Sequence, residues 1–207
     1  KDKVEYLGSD EIYFYHLDAK DRNEEAKKLR VLLKLAKKQK TIVVTSVDAI
    51  LRKYIPKNVL LDNIYTYKIG DIIDLEELSQ KLVRLGYERV SRIEGLGQFS
   101  IRGGIIDIYS LEYTNPIRIE LFDDEIDSIR TFDVFSQKSI EKIKKVVITP
   151  SREFIYPEDT TSAVEKIQLE TNQYTDDDVF NNIENIAQKT YFQGVENYID
   201  YLYEENN

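Results

Sequence analysis

Residues 86–133 read GYERVSRIEGLGQFSIRGGIIDIYSLEYTNPIRIELFDDEIDSIRTFD. Apolar residues alternate along short runs that are broken at Gly103-Gly104, Asn115-Pro116 and Asp123-Asp124. A period of two marks strands with one face in a core, and Gly and Asp pairs supply the backbone angles of tight turns. The stretch predicts an antiparallel β-meander, with strands at about 88–93, 98–102, 105–110, 117–122, 125–132 and 145–149. Side chains flip at every strand residue. Phe99 and Ile101 are therefore expected in the core, and Gln98, Ser100 and Arg102 on the other side. Arg102 is expected to face solvent or a partner.

Upstream, Ala26, Leu29, Leu32, Leu33 and Ala36 recur at helical spacing among Lys and Arg, which predicts an amphipathic helix over residues 22–38. Thr41 to Val47 is a continuous β-branched run, read as a buried strand leading into a helix at about 47–54 that Pro56 stops. Helix, buried strand, helix is the rhythm of an α/β sheet, but roughly sixty residues are too few for a complete doubly wound domain. After a strand-like Tyr65 to Ile69, Asp74 is placed to cap a helix that shows Leu75, Leu78, Leu82 and Leu85 on one face and ends at Gly86. Beyond Pro150 two helical patterns follow, at about 157–170 and 176–188. The fold class is accordingly α/β plus α+β.

Composition narrows the chemistry. The 207 residues carry no Cys, no Met and a single His, His16, with a net charge of −9. Disulfides, thiolate catalysis and Cys-ligated zinc are excluded, and a Ser-His triad or His-based metal site has almost nothing to build on. Lys at position 1 and the lack of Met lead us to expect a piece of a longer protein. Neither a membrane-length apolar run nor a signal-like N-terminus is present, so a cytoplasmic location is expected. The negative charge argues against non-specific nucleic-acid binding. Locally, however, residues 81–104 hold Lys81, Arg84, Arg89, Arg92 and Arg102 against only Glu88 and Glu94. A basic patch on an acidic protein points first to an acidic protein partner.

Motifs for catalysis are weak. Gly95-Leu96-Gly97 lacks the third glycine of a dinucleotide loop, and no stretch matches a P-loop. Ile119 to Glu125 imitates a Walker B strand, but without a phosphate loop Asp123-Asp124 is better read as a hairpin turn. His16, beside Tyr13-Phe14-Tyr15, reads as a packed or surface imidazole. Asp176-Asp177-Asp178 reads as complement to a helix dipole rather than as a metal site. No catalytic residue, cofactor or metal is expected.

Gly86 to Arg89, Gly97 to Tyr109, Arg118 to Arg130 and Phe132-Asp133 resemble the UvrB-homology region of the bacterial transcription-repair coupling factor family. Tyr191-Phe192-Gln193-Gly194-Val195-Glu196-Asn197-Tyr198 is similar to the Gly-Ile-Glu-Asn motif that the family shares with UvrB. The resemblance implies residues 1–66 as the closing part of a degenerate RecA-like domain, 67–152 as an α+β UvrA-binding domain, and 153–207 as the helical start of a further RecA-like segment. It also implies UvrA, the damage-recognition ATPase of excision repair, as partner, with contacts from Arg89, Arg102, Tyr109 and Ser100. Ser100 stands where UvrB has a further arginine. RNA polymerase and double-stranded DNA are implied as partners of the longer parent, whose ATP-dependent translocase lies elsewhere. UvrB itself is the nearest rival, less favoured because its P-loop and Tyr-rich hairpin are missing. A nucleic-acid-binding module, using Arg89, Arg102 and stacked tyrosines, is the alternative of a different class.

Overall fold

The isoleucines between Ile105 and Ile129 build the centre of the molecule. In the computed structural model, which describes residues 4–8, 22–171 and 177–203, a six-stranded sheet forms in the order β4 (Glu88–Arg89), β5 (Gln98–Arg102), β6 (Ile105–Ile108), β7 (Ile117–Phe122), β8 (Glu125–Phe132), β9 (Ser139–Ile143). Cross-strand partners Phe99↔Ile108, Ile106↔Ile119, Ile108↔Ile117 and Ile119↔Ile129 line one face. All six residues are buried there. The turns are those expected from their residues: Gly103 and Asp123 both take positive φ, 59° and 61°, the region Gly and Asp tolerate.

That face is closed by α4 (Leu75–Arg84) and by a two-stranded antiparallel sheet of β3 (Tyr65–Lys68) and β10 (Lys145–Ile148). Leu78, Leu82, Val146 and Ile148 join the same buried cluster. Asp74 caps α4 by accepting hydrogen bonds from the amides of Glu76 and Glu77, at 2.8 and 2.9 Å. Glu76 and Glu77 in the first turn, with Lys81 and Arg84 in the last, complement the helix dipole.

A second core gathers α1 (Arg22–Ala36), α3 (Lys57–Asp62), α5 (Thr161–Thr171), α6 (Asp177–Ala187), the short turn Val195–Tyr198 and α7 (Ile199–Leu202). Leu29, Leu33, Leu60, Ile155, Ile167, Ile186 and Val195 fill it. Gly194, at φ 94°, turns the chain so that Val195 enters this core, and Glu196 pairs with Arg52 at 3.0 Å. The second motif of the resemblance thus has a packing role. A small third cluster of Leu7, Val31 and Ala49 joins β1 (Val4–Leu7) to α1 and α2 (Val47–Leu51). Among the described residues no helix is long and apolar enough to cross a membrane.

Several expectations need correction. The run at 41–47 is not a buried strand: among the described residues β2 (Ile42–Thr45) pairs only with β1, in parallel, and Ile42 and Val44 are exposed. β-branched residues there satisfy strand propensity, but among the described residues no layer buries Ile42 or Val44. The first strand of the meander ends at Arg89 rather than near 93, because the Gln98 side chain captures the amides of Glu94 and Gly95 and bends the segment into a loop. Its pairing with β5 is parallel, not antiparallel. Residues 145–148 leave the meander for β3, and β9 takes the sheet edge instead. The first helix after Pro150 starts at Thr161, where Asp159 accepts a hydrogen bond from the Thr161 amide. His16 and Asp176 lie outside the described residues.

Candidate protein-docking face

The face of the sheet opposite the core is polar, and its centre is a carboxylate that the sequence reading did not single out. Asp107 lies between Ile106 and Ile108 on β6, so the pleat turns it away from the isoleucines. Its side chain is only 3% exposed. Arg118, its cross-strand partner on β7, grips it with two parallel bonds: Nε to Oδ1 at 2.7 Å and Nη2 to Oδ2 at 2.8 Å. Arg102 reaches the same Oδ2 from the diagonal position on β5, at 2.8 Å. Paired, planar geometry of this kind suits Arg and no other cation. The same Arg118 Nη2 donates to Gln137 Oε1 at 2.9 Å, and the guanidinium stacks 4.4 Å from the Phe132 ring centroid. The carboxylate beside it holds the Arg118 pKa above its ordinary value.

One strand further, Arg130 would stand beside Arg118, its direct cross-strand partner, and repel it. Glu120 relieves this by accepting both Nη groups of Arg130, with the Ser128 hydroxyl on the same carboxylate. Arg130, a strand arginine with no function assigned from the sequence, is therefore structurally committed. These bonds hold the Glu120 carboxyl below its ordinary 4.5. A lowered folded pKa stabilises the fold above the unfolded value and is lost as pH falls through the folded one. Acid melts should thus show the wild type losing melting temperature below about pH 4.5, and Glu120→Gln losing less over the same range. Identical acid profiles would remove Glu120 from the account.

The candidate contact residues separate on this framework. Arg102 sits at the rim with half its side chain exposed and one Nη committed to Asp107, so its other donors are open to an approaching acceptor. Tyr109 is half-buried on the same side, its hydroxyl donating to the Thr114 carbonyl at 2.9 Å. Ser100 is 1% exposed and its hydroxyl bonds the Ser91 carbonyl at 3.3 Å. The loop over residues 90–97 covers it, so it is not on the surface that the sequence reading placed it on. Arg89 is exposed on the edge strand, but Phe99 is its register partner. Partners project to the same side, and Arg102, three residues from Phe99, projects to the other. Arg89 and Arg102 thus do not share a face.

Two loops cross the polar face and meet. Arg92, from residues 90–97, donates to the carbonyls of Val134 and Phe135 at 3.5 and 3.3 Å. The surface so formed presents fixed guanidinium donors around one buried acid. Guanidinium donors held in this way are suited to carboxylate acceptors.

The family model for the UvrB interaction domain matches residues 66–154, which contain the whole sheet, α4 and β10. The transcription-repair-coupling factor of Bacillus subtilis strain 168 is 44% identical over 143 residues, 69% of this chain and 12% of that protein. The chain belongs to the transcription-repair coupling factor family. Other members show the same relation over a longer stretch: the Staphylococcus epidermidis (ATCC 12228) factor is 32% identical over 198 residues, 92% of this chain. That of Staphylococcus haemolyticus is 31% identical over the same length. The chain spans between 12% and 17% of the length of these coupling factors. The match to the interaction domain coincides with the Arg102–Asp107–Arg118 sheet, not with the helical core around Leu29.

Proposed function

We propose that this chain is the UvrA-recruiting module of a transcription-repair coupling factor, and that the polar sheet face is where UvrA docks. The observation that carries the reading is Arg102: a half-exposed guanidinium held at a fixed place by a buried carboxylate, inside the segment that matches the UvrB interaction domain. A pre-positioned arginine loses little freedom on meeting a partner carboxylate, and residues of this kind dominate interface energetics. Tyr109 completes the rim. Arg89 meets UvrA only where the partner wraps the β4 edge, and Ser100 supports the loop above it.

On this reading, residues 67–152 are the docking domain, 1–66 and 153–207 are pieces of RecA-like domains, and the chain catalyses nothing. RNA polymerase, double-stranded DNA and the ATP-dependent translocase belong to the rest of the longer protein, and the cytoplasm is where the parent works. Titration of the chain with purified UvrA, in parallel with labelled duplex and single-stranded DNA at two salt concentrations, tests this directly. Saturable binding to UvrA with DNA binding no tighter than the ~10⁻⁴–10⁻⁶ M of non-specific contacts is expected. Sub-micromolar, salt-sensitive DNA binding without UvrA binding would favour the nucleic-acid module instead.

A further inference from the structure

The docking face is flanked by an aromatic ring that no core accounts for. Phe135 is 89% exposed, yet the turn that carries it is bonded from both sides. Asp133 Oδ1 accepts from the Ser136 amide and hydroxyl at 2.7 and 2.8 Å, and the Asp133 carbonyl accepts from the Gln137 amide at 2.8 Å. Gln137 takes φ 60°, and its Nε2 donates to the Val134 carbonyl at 2.8 Å while its Oε1 accepts from Arg118. Arg92 closes the other side on the Val134 and Phe135 carbonyls. The ring is thus exposed to water on a turn that is itself held in place, and tied through Gln137 and Arg118 to the Asp107 carboxylate.

Seating a phenylalanine in a pocket removes its apolar surface from water. A rigid support leaves little freedom to be lost on binding. Aromatic side chains and arginines are also the residue types that carry interface hot spots. We propose that Phe135 is the apolar anchor of the docking face, inserting into an apolar pocket on UvrA while Arg92 and Arg102 meet an acidic rim around it. The proposal rests on the docking reading and deepens it. Continuity with the docking face selects this occupant: the turn is tied through Gln137 and Arg118 to the Asp107 carboxylate that positions Arg102, and a second copy of the chain is left as an outcome of the test.

The test is titration of purified UvrA with the wild type, Phe135→Ala, Phe135→Asp, Arg102→Ala and Phe122→Ala, with melting temperature and sedimentation measured on each. Phe122 is also exposed, but it stands at the far end of the β7–β8 hairpin, separated from Phe135 by the eight residues of β8, roughly 25 Å. Phe135→Ala should weaken binding about tenfold or more, Phe135→Asp further, and Phe122→Ala less than about threefold, with melting temperatures unchanged. If Arg102→Ala loses affinity and Phe135→Ala does not, the anchor is wrong and the docking reading stands. If the wild type fails to bind UvrA, both fall. A Phe135→Asp variant that changes only self-association would assign the ring to a copy of the chain and overturn the proposal.

Discussion

Asp107→Ala is expected to destabilise the chain by about 3 kcal/mol or more, the lower part of the range for breaking a buried ion pair. The cost comes from what is left behind. Arg118, whose side chain is 13% exposed, would keep its charge over the Phe132 ring with no carboxylate to receive either bond, and Gln137 would lose an anchored donor. Asp107→Asn, which keeps the shape and one acceptor oxygen, should cost less. Replacing both partners, Asp107→Leu with Arg118→Met, should recover much of the loss, since an apolar pair of similar volume leaves no orphaned charge. Urea unfolding of the three variants checks the order. A loss below about 1 kcal/mol for Asp107→Ala, the size of an exposed pair, would mean that the triad contributes no more than a surface salt bridge.

Phe99→Ala should be at least as damaging, about 3–5 kcal/mol. Phe99 is fully buried and lies opposite Ile108 on β6, in a strand flanked by β4 and β6, so the surrounding side chains have little room to collapse into the space. With domain stabilities of about 5–15 kcal/mol, this one substitution removes a large share of the margin. Thermal melting should show it, together with weaker UvrA binding as the sheet loosens. Unchanged melting with weakened binding would place Phe99 at the interface rather than in the core.

The two substitutions mark what the sequence could and could not reveal. Phe99 was legible because one-in-two alternation is local, and the turns at Gly103 and Asp123 were legible because so few residues tolerate those backbone angles. Asp74 and the leucines of α4 were legible for the same reason of local signal. Asp107 was not: its meaning depends on which β7 residue lies opposite, and the connection over residues 109–116 is too long for its sequence to set that register. β9 escaped notice because all its residues but Ile143 are exposed, which erases the apolar alternation. The exposed β2 shows the reverse error, propensity without burial. Ser100 was assigned to the surface because a loop covering a strand leaves no periodic trace. Phe135 carries no sequence signal at all; only the bonded turn beneath it shows that its exposure is built.

On the proposed reading, one positioned guanidinium, not the general charge of the sheet, recruits UvrA. Calorimetric titration of UvrA with the wild type, Arg102→Ala and Lys145→Ala addresses it most directly, since Lys145 is an exposed cation of the same matched segment, on β10. Arg102→Ala should lose at least roughly thirtyfold in affinity, the lower bound for truncating one member of a buried interfacial charge pair, at unchanged melting temperature. Lys145→Ala should stay within about threefold. Equal losses from the two, or undiminished binding by Arg102→Ala, would contradict the account.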